Sequence, residues 1–76
     1  MNMEKALKKE YCRARYPKGT LLRLSKPIND PYTPKKVGDI FVSSGVIDDM
    51  LQLHGHWLSG GSMALSIEDD EFEIIM

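Results

Sequence analysis

The two histidines of this 76-residue chain, His54 and His56, are separated by one glycine in the run LQLHGHWLSGGS. Imidazole is the commonest protein metal ligand and the side chain that titrates nearest neutrality. On an extended strand, residues i and i+2 point the same way. The pair therefore stands side by side and offers a two-point grip on a metal. A stable site wants three or four ligands with partners behind them. Asp48 or Asp49 supplies a third only if the intervening turn folds back. The spacing favours a solvated or partner-facing pair whose charge responds to pH, with no bound metal and no cofactor.

The other reactive residue types fail as catalytic sets. Asp48 and Asp49 are adjacent, so on a strand they point apart and make a poor acid–base pair. Aspartates in a turn commonly accept bonds from nearby backbone amides. Cys12 is the single cysteine. It has no partner for an internal disulfide and cannot build a cysteine zinc site alone, so it reads as an incidental thiol. No serine lies in a Gly-x-Ser-x-Gly elbow, and SGGS is too short and wrongly flanked for a phosphate loop. The expectation is a protein that is not an enzyme. Tyr32 sits in a loop between Pro31 and Pro34. It either pins that loop to the body or stacks on a proline helix or a nucleobase.

These residues need a frame. Residues 2–12 read as a helix, with Asn2 as N-cap, Glu4 near the positive end, and Met3, Ala6, Leu7 and Tyr11 forming an apolar stripe. So short a helix is marginal alone, so it must dock on the body of the protein, dock on a partner, or fray. Pro17 then discourages helix at Tyr16. Beyond Gly19 the pattern is β-like. GTLLRLS alternates, with Thr20, Leu22 and Leu24 on one face. KPINDPYTPKKVG is a long loop of the kind that often carries function. DIFVSSGVI is a second strand, with Gly45 marking a bend or bulge. LQLHGHW is a third, with Leu51, Leu53, Gly55 and Trp57 inward and both histidines outward. MALSI and FEIIM are the last two, separated by a one-turn EDDE connector. The expected core is Trp57, Leu53, Leu22, Leu24, Val42, Ala64, Leu65, Phe72 and Ile74.

The composition is globular, with 42% hydrophobic and 28% charged residues, and the length suits one domain. No apolar run approaches the ~20 residues of a membrane helix, and no leader resembles a signal peptide. A soluble, cytoplasmic protein without membrane contact is expected. The net charge of −1 hides a division. Eight cations against two carboxylates give residues 1–27 a charge of +6, and two against nine give residues 28–76 a charge of −7. The two ends either attract each other or present faces of opposite sign.

The expected fold is mainly β: a small five-stranded SH3-like barrel over residues 19–76, preceded by a basic helix and linker over residues 1–18. Wrapping the strands hides most sheet edges. Residues 19–75 resemble a small bacterial family carried as a domain of unknown function. The matching elements are Gly19, Arg23 and Leu24; Asp30, Pro31 and Tyr32; Gly38; Asp48 and Asp49; Trp57; Gly60 or Gly61; Met63, Ala64 and Leu65; and Asp70, Phe72 and Ile74. The turn WLSGG and an extra residue in IFVSSG depart from that pattern, and both departures can reshape a binding edge. The resemblance implies a setting in Gram-positive bacteria, their phages and conjugative elements.

Three functions follow as expectations. The first is a protein-interaction module, an accessory or host-takeover protein that includes inhibition of a bacterial defence enzyme. Its partner is a bacterial protein, met through Asp30, Tyr32, Asp48, Asp49, His54, His56, Glu68, Asp69 and Asp70. The second is a nucleic-acid binder using Lys5, Lys8, Lys9, Arg13, Arg15 and Lys18 against phosphates. Few aromatics interleave those cations. The third is an acidic mimic in which Glu68, Asp69, Asp70, Glu71 and Glu73 imitate a run of phosphates.

Overall fold

The computed structural model describes residues 3–76. The expected N-cap, Asn2, lies outside the described residues. Helix α1 spans Met3–Arg15 and carries Glu4 in its first turn and Arg13 and Arg15 in its last. Those charges oppose the helix dipole favourably at both ends. The helix runs one turn beyond the expected limit at residue 12. Its last turn is closed by the Tyr16 amide donating to the Cys12 carbonyl at 2.8 Å, after which Pro17 stops it.

Five strands follow: β1 (Leu21–Leu24), β2 (Ile40–Ile47), β3 (Gln52–Trp57), β4 (Leu65–Ser66) and β5 (Phe72–Ile74). They form one antiparallel sheet in the order β4-β3-β2-β1-β5. The sheet is not closed, since β4 and β5 are its two edges. The fold is thus mainly β with one short N-terminal helix, as the alternation implies.

A row of side chains crosses four strands on the inner face. Trp57 opposes Phe41, Phe41 opposes Leu22, and Leu22 opposes Ile74. Leu24, Ile47, Leu51, Leu53 and Leu65 complete the buried set, together with Cys12 and Tyr16 from the helical end. Tyr16 meets Phe72 edge-on at 5.7 Å. Two expected core residues are corrected. Val42 is on the outer face, opposite Leu21 and His56, and Phe41 and Ser43 are buried in its place. The run Ile40-Phe41-Val42 is apolar on both faces, so alternation alone does not choose between them. Ile74 lies on the core face but is 41% exposed, because β5 has a neighbour on one side only. Ala64 and Phe72 are half-buried.

The sheet bends at Gly45, as its place in the strand suggested. From Ser43 to Ile47, β2 advances four residues while β3 advances two from Gly55 to Leu53. The extra residues form a bulge, and side-chain parity survives it, so Ile47 returns to the core. Gly45 has φ +82°, and a Cβ there would sit 3.0 Å from the Lys18 amide nitrogen. Ser43 ties this bend to the helix. Its hydroxyl donates to the Tyr16 carbonyl at 2.9 Å and accepts the Gly45 amide at 3.0 Å.

The helix docks on the sheet, one of the outcomes the sequence left open, and it does so with the face opposite its apolar stripe. Met3, Leu7 and Tyr11 are 77%, 65% and 64% exposed. At 100° per residue, Lys9, Cys12 and Tyr16 lie nearly opposite Leu7, and Cys12 and Tyr16 are in the core. The anchors are Cys12 and Tyr16, which enter the core, and two ion pairs lie beside them. Lys9 donates to the Asp49 carboxylate at 2.8 Å, and Lys8 lies 3.5 Å from Glu68. The basic side of the helix thus lies beside two acidic turns of the sheet, and the aliphatic stem of Lys9 is covered there.

Candidate interaction surface

The turn between β2 and β3 is organised by one carboxylate. Asp48 accepts the amides of Met50 at 2.9 Å and Gln52 at 3.0 Å through Oδ1. Its Oδ2 lies 2.8 Å from His54 Nε2. The turn does fold back, and it brings Asp48 to His54. The Gln52 amide, and then the His54 ring, hold the Asp48 carboxyl below the usual carboxylate range. Asp48 also encloses Leu51, which has φ +55° and is buried. A branched side chain in that region is uncommon, and the bonds on either side of it sustain the conformation.

His54 and His56 are both exposed on the outer face, as alternation placed them. Ser44 donates to the His54 carbonyl at 2.7 Å, so its hydroxyl faces backbone and not the imidazole. Among the described residues, no three of His, Cys, Asp and Glu gather in a way that would hold a metal ion. Asp49 points away from Asp48 toward Lys9, whose ammonium lowers the Asp49 carboxyl.

The acidic connector is likewise engaged. Asp70 accepts the Ser66 amide at 2.8 Å, and Asp69 accepts the Ser66 hydroxyl at 3.2 Å. Glu71 pairs with Lys26 at 3.2 Å, and Glu73 accepts from Arg23 Nε at 3.0 Å. On the basic side, Arg13 pairs with Glu10 at 2.6 Å, and the Arg15 guanidinium stands 5.9 Å from the Tyr16 ring. Lys5 and Lys18 are exposed. Glu4, Lys5, Lys8, Leu51 and Glu68 line an open cleft of about 340 Å³ beside the helix. Its walls carry both signs of charge, which suits neither a phosphate nor a bare cation.

The long loop is held by residues that alternation did not single out. Asp30 Oδ1 accepts the amides of Tyr32 at 2.8 Å and Thr33 at 2.9 Å, and those bonds lower its carboxyl. Ile28 and Lys35 exchange both backbone bonds across the loop. Lys35 is 9% exposed. Its ammonium donates to the Gly60 carbonyl at 2.8 Å and stands 5.2 Å from the Trp57 ring. The Tyr32 ring takes no part in this, and the residue is 91% exposed. The pinning role belongs to Asp30 and Lys35, and Tyr32 is left to solvent or a partner.

Besides Val37, Met50, Ile74 and Met76, the remaining exposed large apolar groups among the described residues fall in two places. Met3, Leu7 and Tyr11 form one outward stripe on α1, spaced by four residues. Leu58, Val46 and Ile75 lie on the outer side of the sheet, 66%, 56% and 39% exposed. No helix among the described residues is long and apolar enough to cross a membrane. No curated protein and no solved structure matches the chain. The profile of the family described as Domain of unknown function (DUF4314) matches residues 3–75, helix and sheet together, and the chain belongs to that family.

Proposed function

We propose that the chain is a non-enzymatic protein-interaction module, an SH3-like small barrel whose helix carries the contact surface. The strand order, with a long first connection and three brief ones, supports the SH3-like reading. A role as an accessory or host-takeover protein of a phage or mobile element, including anti-defence, rests on the sequence resemblance alone. The observation that carries the interaction reading is the outward stripe of Met3, Leu7 and Tyr11. An amphipathic helix normally turns its apolar side inward. Here Lys9 lies against the sheet beside Asp49, Cys12 and Tyr16 supply the buried contacts, and the apolar side is presented outward. Helix-in-groove recognition uses anchors at this spacing.

The two alternatives have less support. Lys8, Lys9 and Arg13 are paired with carboxylates, which weakens a phosphate-binding face. Glu68, Asp69, Asp70, Glu71 and Glu73 are each engaged within the chain, which weakens a phosphate mimic. The test is cross-linking of the tagged protein in its host, with Leu7→Glu beside the parent. A partner captured by the parent and lost in the variant, with circular dichroism unchanged, is the expected result. A partner kept by Leu7→Glu overturns the helix-surface reading. Oligonucleotide binding whose log K falls steeply with log salt would establish the nucleic-acid alternative instead.

A further inference from the structure

Lys35 is the one buried cation among the described residues. Charges are rarely buried unless an opposite charge accompanies them. The chain has eleven carboxylate side chains, yet among the described residues none pairs with Lys35. The ion pairs go instead to more exposed cations, Lys8, Lys9, Arg13, Arg23 and Lys26. Surface pairs of that kind contribute little, whereas a buried ammonium without a counter-charge is costly. An ammonium has three donors. Lys35 gives one to the Gly60 carbonyl at 2.8 Å and one to the Ser59 hydroxyl at 3.3 Å. The described residues supply no third acceptor. The Trp57 ring, 5.2 Å away, offers a π face but no negative charge.

The turn over this ammonium has donors to spare. Ser59, Gly60, Gly61 and Ser62 are all exposed, so the Lys35 charge lies just beneath the surface. A Cβ at Gly60 or Gly61 would meet nothing within 4 Å, which leaves the outer side of the turn open. The amides of Gly61 and Ser62 and the Ser62 hydroxyl donate to no group among the described residues. The Tyr32 loop is lashed to the same turn, because Lys35 reaches Gly60 and the Thr33 hydroxyl lies 2.9 Å from Met63 Sδ. Residues 26–37 carry Lys26, Lys35 and Lys36 against Asp30, three minus one, or +2. The loop is therefore locally positive in the half of the chain that is otherwise acidic.

We infer that Lys35, Ser59, Gly61 and Ser62 form a recognition site for one carboxylate of a partner protein, an aspartate or glutamate side chain whose apolar neighbour packs on Tyr32. The carboxylate supplies the counter-charge that the fold leaves out. The hydroxyls and amides of the turn donate to it, with the Lys35 ammonium behind them. Asp30 and the Ile28–Lys35 bridge already hold the loop, so little order is lost on binding. One fixed cation matches one carboxylate. A nucleic-acid strand carries a phosphate at every step and calls for a row of cations, whereas the neighbouring Lys26 is engaged by Glu71. The site stands apart from the stripe on α1, and neither depends on the other.

Amide NMR at constant ionic strength tests this, with N-acetyl-glutamyl-leucinamide as probe and its glutaminyl analogue as the neutral control. The acidic probe is expected to move the Gly60, Gly61 and Ser62 amides saturably, with half-saturation on the order of 10 mM. The neutral probe should leave them in place. Lys35→Met should weaken the response about tenfold or more, whereas Lys36→Met, which removes the same charge one residue along, should not. Ser62→Asp puts a carboxylate on the turn itself and should abolish the response, and it carries the test if Lys35→Met does not fold. Tyr32→Ala should erase the preference for leucinamide over glycinamide in the probe, and an unchanged preference overturns the Tyr32 contact. No saturable movement up to about 100 mM overturns the inference. So does equal movement with the neutral probe, or a folded Lys35→Met or Ser62→Asp that responds like the parent. Saturation by inorganic phosphate where the acidic probe has no effect overturns it in favour of a phosphate site.

Discussion

The ring of Phe41 lies directly against Gly55 on the neighbouring strand. A Cβ at Gly55 would fall 2.9 Å from Phe41 Cζ and 2.0 Å from the Val42 carbonyl oxygen. The second contact is with backbone, which cannot rotate away. Gly55 is therefore required by proximity, not by an unusual φ. It lets Phe41 reach Trp57, with ring centroids 4.9 Å apart at 63°.

Gly55→Ala should be among the most damaging single-methyl changes in the chain. Overpacking a core typically costs about 1–3 kcal/mol, and relief here means opening the β2–β3 ladder. A loss at or beyond the upper end of that range is expected in urea unfolding. A change below ~0.5 kcal/mol would mean that the strands are not this close.

Trp57 is gripped from three sides: by Phe41, by the Lys35 ammonium, and by its own Nε1–H donating to the Met63 carbonyl at 2.8 Å. Trp57→Ala should cost about 3–5 kcal/mol. Lys35→Ala should cost about 1–3 kcal/mol, because it removes a charged hydrogen bond and a cation–π contact. Lys36→Ala, one residue along and exposed, should be neutral in the same thermal melts. Equal effects at the two lysines would refute the clamp.

Acid should destabilise the fold through Asp30, Asp48 and Asp49. Backbone amides lower the first two and Lys9 lowers the third. A carboxyl with a lower pKa folded than unfolded stabilises the fold fully above its unfolded value, near pH 4. That contribution is lost as pH falls through the folded value. Melting temperature should hold from neutrality to about pH 4 and then decline, and Asp48→Asn should make the decline shallower. An unchanged acid profile in that variant would remove Asp48 from the account.

Cys12 should be nearly inert in the native protein. It is 7% exposed, and burial, followed by the Glu68 charge, pushes its thiol up. Thiolate is the reactive form. Labelling with an aromatic disulfide reagent at pH 7.5 should be slow and should become fast in denaturant. Comparable rates in the two conditions would show that the helix end does not stay docked.

The sheet was legible because its signals are local. Alternation in Leu51–Trp57 has one apolar side, so the inward residues and the outward histidines follow from it directly. Gly45 and the Gly60–Gly61 turn were readable for the same reason. β2 misled because Ile40, Phe41 and Val42 offer two apolar faces, and only the cross-strand neighbours Gly55 and Trp57 select Phe41. How the helix docks was not legible. Its apolar stripe is real, but the helix docks through Cys12 and Tyr16 against partners such as Ser43 and Phe72, which lie about thirty and sixty residues away in sequence. Lys35 and Ser43 carried no local sign of burial, since each is defined by a carbonyl that comes near only after folding.

The central position of β1 has a kinetic consequence. β2, β3 and β4 pair with sequence neighbours, whereas β1 joins β5 across Leu24–Phe72. Closing a long span loses more chain entropy than closing a hairpin, and distant pairings form late. The order of assembly then runs outward from the β2–β3 hairpin, with β5 arriving last. Until it arrives, Tyr16 lacks the Phe72 ring and the helix is held by Cys12, the Ser43–Tyr16 bond and the Lys9–Asp49 pair. Substitutions around the hairpin should slow folding, whereas substitutions in β5 should leave that rate alone and hasten unfolding. The strand whose edge lies open in the native sheet is also the one that leaves it first.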